Sequence, residues 1–203
     1  MKAWHFVGNK LMDGRPIPPD GEWLVHEGEL IMCKSGLHAS IRLIDALKYV
    51  PGNTICRVEV DGEVIEDDDK LVAQKRKILW RINGEAVLRA FARWCALQYV
   101  HLWVAPDVVI EYLTKGGLDL MVAARAAVED ASRAASRAAV EAAAWDVVED
   151  AAWDTAWVAA WAAVWVATRD AVEAASRDVQ NEQLELMVEE AKDGKTEWIF
   201  DVP

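Results

Sequence analysis

Four histidines and three cysteines are the most reactive groups in this chain of 203 residues. His26, Cys33 and His38 fall within 13 residues, and Cys56 would be the fourth member of a zinc set. Six residues separate the first pair and four the next, spacings that match no tight knuckle, so no metal is expected. A Cys–His nucleophile pair lacks any activating context. Cys56, after Ile55, and Cys95, between Trp94 and Ala96, sit in apolar surroundings and read as reduced structural thiols. The chain has no GxxxxGK[ST], GxGxxG, HExxH or GxSxG motif. Glu66-Asp67-Asp68-Asp69 has the charge to attract a divalent cation, but adjacent carboxylates in a run are more simply a solvated loop.

The elements that would position such groups lie in the first 117 residues. Trp4–Val7 is a short β-type run, and Glu22–Ile31 alternates loosely enough for one or two short strands. Gly36-Leu37-His38-Ala39-Ser40 reads as a strand end leading to a helix N-cap at Ser40, before the periodic Ile41, Leu43, Ile44 and Leu47. Pro51-Gly52-Asn53 stops that helix. Thr54–Val60 alternates, and Asp61-Gly62 predicts a hairpin turn into Glu63–Ile65. Leu71–Ile82 is a further strand, with Lys75-Arg76-Lys77 exposed beside it. Gly84 to about Trp103 has helical spacing, and a short helix runs from Pro106-Asp107 to Lys115-Gly116-Gly117. The expected class is α+β: a small mixed N-terminal domain over 1–117, an Ala-rich, Trp-containing helical region over 118–193, and a tail over 194–203.

From Leu118 to Asp193 there is neither Gly nor Pro, and Ala dominates, so helix is expected throughout. A period of four runs through it. From Met121 to Arg177 every fourth residue is Met, Arg, Glu or Trp, and the three between are mostly small. Trp145, Trp153, Trp157, Trp161 and Trp165 obey this rule. Four residues turn a helix by about 400°, so the large-residue stripe drifts about 40° per unit and winds round the helix. Such a stripe must meet different neighbours along its length, and the five tryptophans are therefore the expected self-assembly residues. Low-complexity drift of an Ala-rich helix is the plainer alternative.

Charge sharpens the division. The net charge is -12, with 15 Lys/Arg and 16 Asp/Glu in residues 1–117, and 6 and 16 in residues 118–193. No part is basic, which argues against direct nucleic-acid binding and against an anionic membrane surface. The longest uncharged run, Thr155–Thr168, is 14 residues, short of the roughly 18–20 that span a bilayer. The first residues lack the apolar core of a signal peptide. A soluble, cytoplasmic protein is the expectation.

Gly36-Leu37-His38-Ala39-Ser40, then Ala46-Leu47-Lys48-Tyr49, Pro51-Gly52 and the strand Ile55–Val60 resemble a family of uncharacterised bacteriophage proteins. The likeness continues through Asp69-Lys70-Leu71-Val72-Ala73, Phe91-Ala92-Arg93-Trp94-Cys95-Ala96 and His101-Leu102-Trp103 into the Ala/Trp-rich region. It carries no activity with it. More remotely, the order strand, His-x-Ser, helix, strand looks like the core of ADP-ribosyltransferase-like folds. That resemblance implies contacts to a nicotinamide nucleotide from His5 on the first strand and from Ser40, or His38, after the second. It also requires a late Glu, for which Glu59 is on the wrong strand and Glu85 at a helix start.

The resulting expectation is a non-enzymatic phage accessory protein. Its N-terminal domain would hold a host protein or a small anionic or nucleotide ligand, and its C-terminal helices would make a homo-oligomer. An NAD-dependent transferase is the alternative, and an acidic nucleic-acid mimic the weaker one, because Arg125, Arg133, Arg137, Arg169 and Arg177 dilute its field. No cofactor is assigned.

Overall fold

Alternation, β-branching and glycine placement account for most of the strands. A computed structural model describes residues 1–11, 14–98, 100–102, 104–145 and 176–203. The strands are β1 (Lys2–Val7), β2 (Trp23–Val25), β3 (Leu37–Ala39), β4 (Thr54–Glu66) and β5 (Leu71–Asn83). All pairings are antiparallel: β1 with β4, β4 with β5, and β5 with both β2 and β3. Ser40, the residue after β3, pairs back to β1 through two backbone bonds with Trp4, at 2.7 and 2.9 Å. The strands therefore form a closed circuit, β1–β4–β5–β3 and back to β1, with β2 extending beside β5. A curled sheet has an inside and an outside, and side chains alternate between them.

Two local expectations are corrected here. Asp61-Gly62 is not a hairpin turn. Asp61 pairs with Lys75 and Val64 with Ala73, so two residues of β4 face Gln74, the pattern of a β-bulge. Gly62 supplies the positive φ of 78° that the bulge requires. The hairpin instead turns at the acidic run, where the Asp67 amide donates to the Lys70 carbonyl at 2.8 Å. Ser40 is not a helix cap either. α1 (Leu43–Ala46) has Arg42 at its N-cap, and Ser40 is 2% exposed in the strand pair with Trp4. The following Leu47–Tyr49 turn is 3-10.

Inside the curl, Ala3 and Val7 of β1, Ala39 of β3, Cys56, Val58 and Val60 of β4, and Leu71, Ala73 and Ile78 of β5 make one apolar cluster. Trp4, Phe6 and Ile55 belong to the opposite face and are also buried. The Trp4 ring lies 5.7 Å from that of Trp80, nearly perpendicular to it, and 4.3 Å beneath the Arg57 guanidinium. Residues 176–192 form a helix, labelled α5 below, which supplies the buried Leu184, Met187 and Val188. Glu185 of α5 accepts the Trp4 indole N–H at 3.1 Å, and Asn181 accepts the Ile44 amide at 3.0 Å.

The chain divides into two compact units, one of Met1–Phe91 with Val179–Glu197, the other of Ala92–Asp178 with Trp198–Pro203. α2 (Glu85–Leu97) ends earlier than its sequence spacing predicts: Gln98 turns its side-chain amide onto the Trp94 carbonyl at 3.2 Å, and Val100–Leu102 form a 3-10 turn. α3 (Asp107–Lys115) ends at Gly116, whose φ is 76°, as the Gly-Gly signal predicts. α4 (Leu118–Trp145) follows. In the second unit Leu97, Val100, Val109, Leu113 and Ala124 form a core, with Phe200 packed against it. The architecture is α+β. Among the described residues no helix is long and apolar enough to cross a membrane. Trp145 ends α4, while Trp153, Trp157, Trp161 and Trp165 lie outside the described residues.

Candidate functional site

Lys75-Arg76-Lys77 looks like a solvated basic run, but β5 alternates and its middle residue turns inward. Arg76 sits opposite Val60, two positions before Ile78 on the same inner face. It is only 7% exposed. One nitrogen of its guanidinium donates to the His38 carbonyl. Among the described residues its other N–H groups find no acceptor, and no carboxylate faces it. None of those nitrogens is sealed from solvent; the sealed orphan among the described residues is Arg57 Nη1. Burial lowers the Arg76 pKa to about 10, so it stays charged at neutral pH. An unpaired buried charge is among the costliest features a core can contain.

Arg93 shows how this chain treats a structural arginine. One of its nitrogens reaches the carbonyls of Tyr112, Leu113 and Thr114 at 3.4, 3.1 and 3.2 Å, and another reaches that of Trp198 at 3.0 Å. The Phe200 ring centre lies 5.3 Å from the guanidinium carbon. Arg76 has one acceptor where Arg93 has four.

His5 lies on the same inner face of the curl as Arg76. It lies opposite Cys56, between the inward Ala3 and Val7, and its ring has no hydrogen-bond partner among the described residues. Burial holds its pKa well below 6.5, and the charge of Arg76 adds to the effect. His38 is lowered by the same causes, burial first. Its Nε2 accepts the Cys33 amide at 2.9 Å, so the imidazole is neutral with its proton on Nδ1. Cys56 is pushed up to about 12 by burial and is a thiol, not a nucleophile. Cys95 is likewise raised, to about 11.

The structure thus sets the His38 carbonyl against Arg76, keeps His5 on the same inner face, and uses the Ser40 backbone to close the sheet. His26 is taken by the Ser35 hydroxyl at 2.9 Å, and among the described residues no group of His, Cys, Asp or Glu is arranged to hold a metal. Glu59 pairs with Lys77 at 2.7 Å, a bond that lowers its pKa, and Glu85 pairs with Arg89 at 2.6 Å. Asp69 accepts from Lys48 at 2.8 Å and from Tyr49 at 2.9 Å, and these bonds hold its carboxyl low while pinning the hairpin turn.

A concavity of about 340 Å³ opens where Gly8-Asn9, Pro51–Thr54, Asn83 and Glu85 meet. Its polar groups serve the chain itself. Asn83 Oδ1 accepts the Glu85 amide at 3.0 Å, and the Gly84 amide donates to the Asn53 carbonyl at 2.7 Å. A Cβ on Gly52 would stand 2.8 Å from Gly8 Cα, so the two loops cross with no room for a side chain. This is a joint at the start of α2.

Fold and site together define a curled antiparallel α+β unit with a buried arginine on its inner face whose guanidinium meets one acceptor among the described residues. Residues 1–90 are similar to a family described as a domain of unknown function, DUF7666. Neither a curated protein nor a solved structure matches the chain.

Proposed function

We propose that this chain is a non-catalytic bacteriophage accessory protein whose N-terminal unit binds a small anionic ligand and whose Ala/Trp-rich segment joins copies into a homo-oligomer. Arg76 carries the binding half: a desolvated cation without an acidic partner is the arrangement an incoming anion completes. The protonated Cys56 thiol, and the Ser40 backbone held in a strand pair, favour binding over group transfer. Phage origin rests on the sequence resemblance alone.

Thermal denaturation of the full chain tests the binding half. Millimolar sulfate or phosphate should raise the unfolding temperature by several degrees against sodium chloride of equal ionic strength, about what a ligand at 100 times its Kd supplies. Arg76→Met should abolish the shift. NAD should produce at most the shift its phosphates explain, with no nicotinamide released; turnover of NAD would move the assignment to the transferase alternative.

The assembly half rests on the period-four tryptophans, which need more cover than one helix provides. Light scattering after size exclusion should give a whole multiple of the monomer mass. Replacing Trp153, Trp157, Trp161 and Trp165 by Ala should return the chain to a monomer. A monomeric parent chain would remove this half of the proposal.

A further inference from the structure

We infer that His38 is an acid-released latch: its neutral imidazole holds the loop of residues 31–35, which carries the exposed Cys33, and a proton on that ring frees the loop. The latch is separate from anion binding at Arg76 and stands or falls without it.

The loop is fixed at both ends and held in the middle. Leu30 before it is buried, and a Cβ on Gly36 after it would run into Val72 and Leu30. Ile31 and Ser35 exchange backbone bonds at 2.9 and 2.8 Å across its base. At its tip Cys33 has a φ of 63°, the left-handed region, and is alone in this among the described non-glycine residues. Such a backbone persists only while its surroundings impose it. Two side chains do so. The Cys33 amide donates to His38 Nε2 at 2.9 Å, and the Cys33 sulfur takes a hydrogen bond from Lys70.

Two histidines grip this loop, and a proton affects them differently. His26 Nε2 meets the Ser35 hydroxyl at 2.9 Å. A hydroxyl rotates between donor and acceptor, so that contact survives protonation of the ring. A backbone N–H only donates. Protonated His38 carries N–H on both nitrogens, and the Cys33 amide then faces a donor, so that bond breaks. Nδ1 offers no substitute, because it serves the Gly36 backbone.

The charged and titratable groups bearing on His38 are Arg76 of β5, Lys70 at the turn before it, His5 of β1 and Cys33 of the loop; no carboxylate is among them. Arg76 and Lys70 stay cationic through the acid range, Lys70 tied to Tyr49 at 3.3 Å. Burial and these charges hold the latched ring below 6.5, and in the released loop it returns towards that value. Release therefore takes up one proton from solvent. The latch is closed above pH 6.5 and loosens as pH falls below it.

Amide exchange of the full-length chain in sulfate-free buffer, followed by NMR between pH 8 and pH 5 and corrected for intrinsic rates, reads the latch at the Cys33 amide. Protection there should be constant above 6.5 and fall by up to about tenfold per pH unit below it, with the amides of β4 unchanged. His38→Gln puts a side-chain oxygen where Nε2 stood, an acceptor that does not titrate, and should keep Cys33 protected at pH 5. His38→Leu removes the acceptor and should lose protection equally at both ends of the range. His26→Gln should retain the parent profile. Circular dichroism confirms that each variant is folded. Protection at Cys33 that stays flat from pH 8 to pH 5, a fall that persists in His38→Gln, or a fall shared by β4 would each overturn the latch.

Discussion

Replacing Leu184 and Met187 together by alanine should destabilise the N-terminal unit by about 4–8 kcal/mol, enough to unfold a typical domain. Both side chains are fully buried, and each truncation of this kind costs about 2–5 kcal/mol in a well-packed core. They come from α5, at the far end of the 118–193 region and remote from the strands in sequence, yet from Val179 on α5 falls in the same compact unit as β1–β5. It also contributes two polar ties, Glu185 to the Trp4 indole and Asn181 to the Ile44 amide. Hydrogen exchange resolved to β1 and β4 should show loss of protection in the double variant. Leu186→Ala, on the same helix but 56% exposed, should change stability by less than about 0.5 kcal/mol. By the same reasoning a fragment ending at residue 117, or at residue 90 where the family match stops, lacks the cover of Trp4 and should not hold the native sheet. Normal protection in either fragment would show that α5 is dispensable.

That dependence marks what the sequence could and could not convey. Local grammar was legible: the alternation of Thr54–Val60, the Gly116-Gly117 stop after α3 and the Ala-rich helix were readable from neighbours a few positions apart. Errors arose where a local signal had two structural uses. Asp61-Gly62 suits a hairpin and equally a bulge, because both need a positive φ, and only the partner strand decides. Ser40 suits a cap, but its backbone was claimed by β1, a pairing across 36 residues. Arg76 was hidden by Lys75 and Lys77. Strand alternation puts it on the face of Ile78, and a strict period of two would have flagged it. His5 lies on the inner face between Ala3 and Val7, the face that Arg76 shares and no motif announced. The docking of α5 left no local trace, since Leu184, Met187 and Val188 look like the apolar stripe of any amphipathic helix.

Arg93→Met should cost the second unit about 3–5 kcal/mol, while Arg76→Met should leave the first unit unchanged or more stable. The two residues are isosteric tests of opposite roles. Arg93 caps the end of α3, where unpaired carbonyls and the negative end of the helix dipole favour a cation, and its second nitrogen ties down Trp198. Hydrogen bonds to a charged group are worth about 1.5–3 kcal/mol each when buried, and removal takes a charged donor from four carbonyls at once, although those of Tyr112 and Thr114 keep the Gly116 and Phe200 amides. The parent guanidinium lies directly over Gly116, where a Cβ would stand 2.9 Å from its carbon. Lysine should recover less than half of the loss, since one ammonium cannot span both sets of carbonyls as the planar fork does. The Phe200 amide, which donates to the Thr114 carbonyl at 3.1 Å, is the local reporter: its exchange should accelerate in Arg93→Met. For Arg76 the sign is opposite. Lowering its pKa from 12.5 to about 10 corresponds to roughly 3 kcal/mol of unreturned desolvation, which an apolar side chain of similar length does not incur. A structural arginine would behave like Arg93. Destabilisation of several kcal/mol by Arg76→Met, in the absence of any anion, would place Arg76 in that class and remove the reason to look for its ligand.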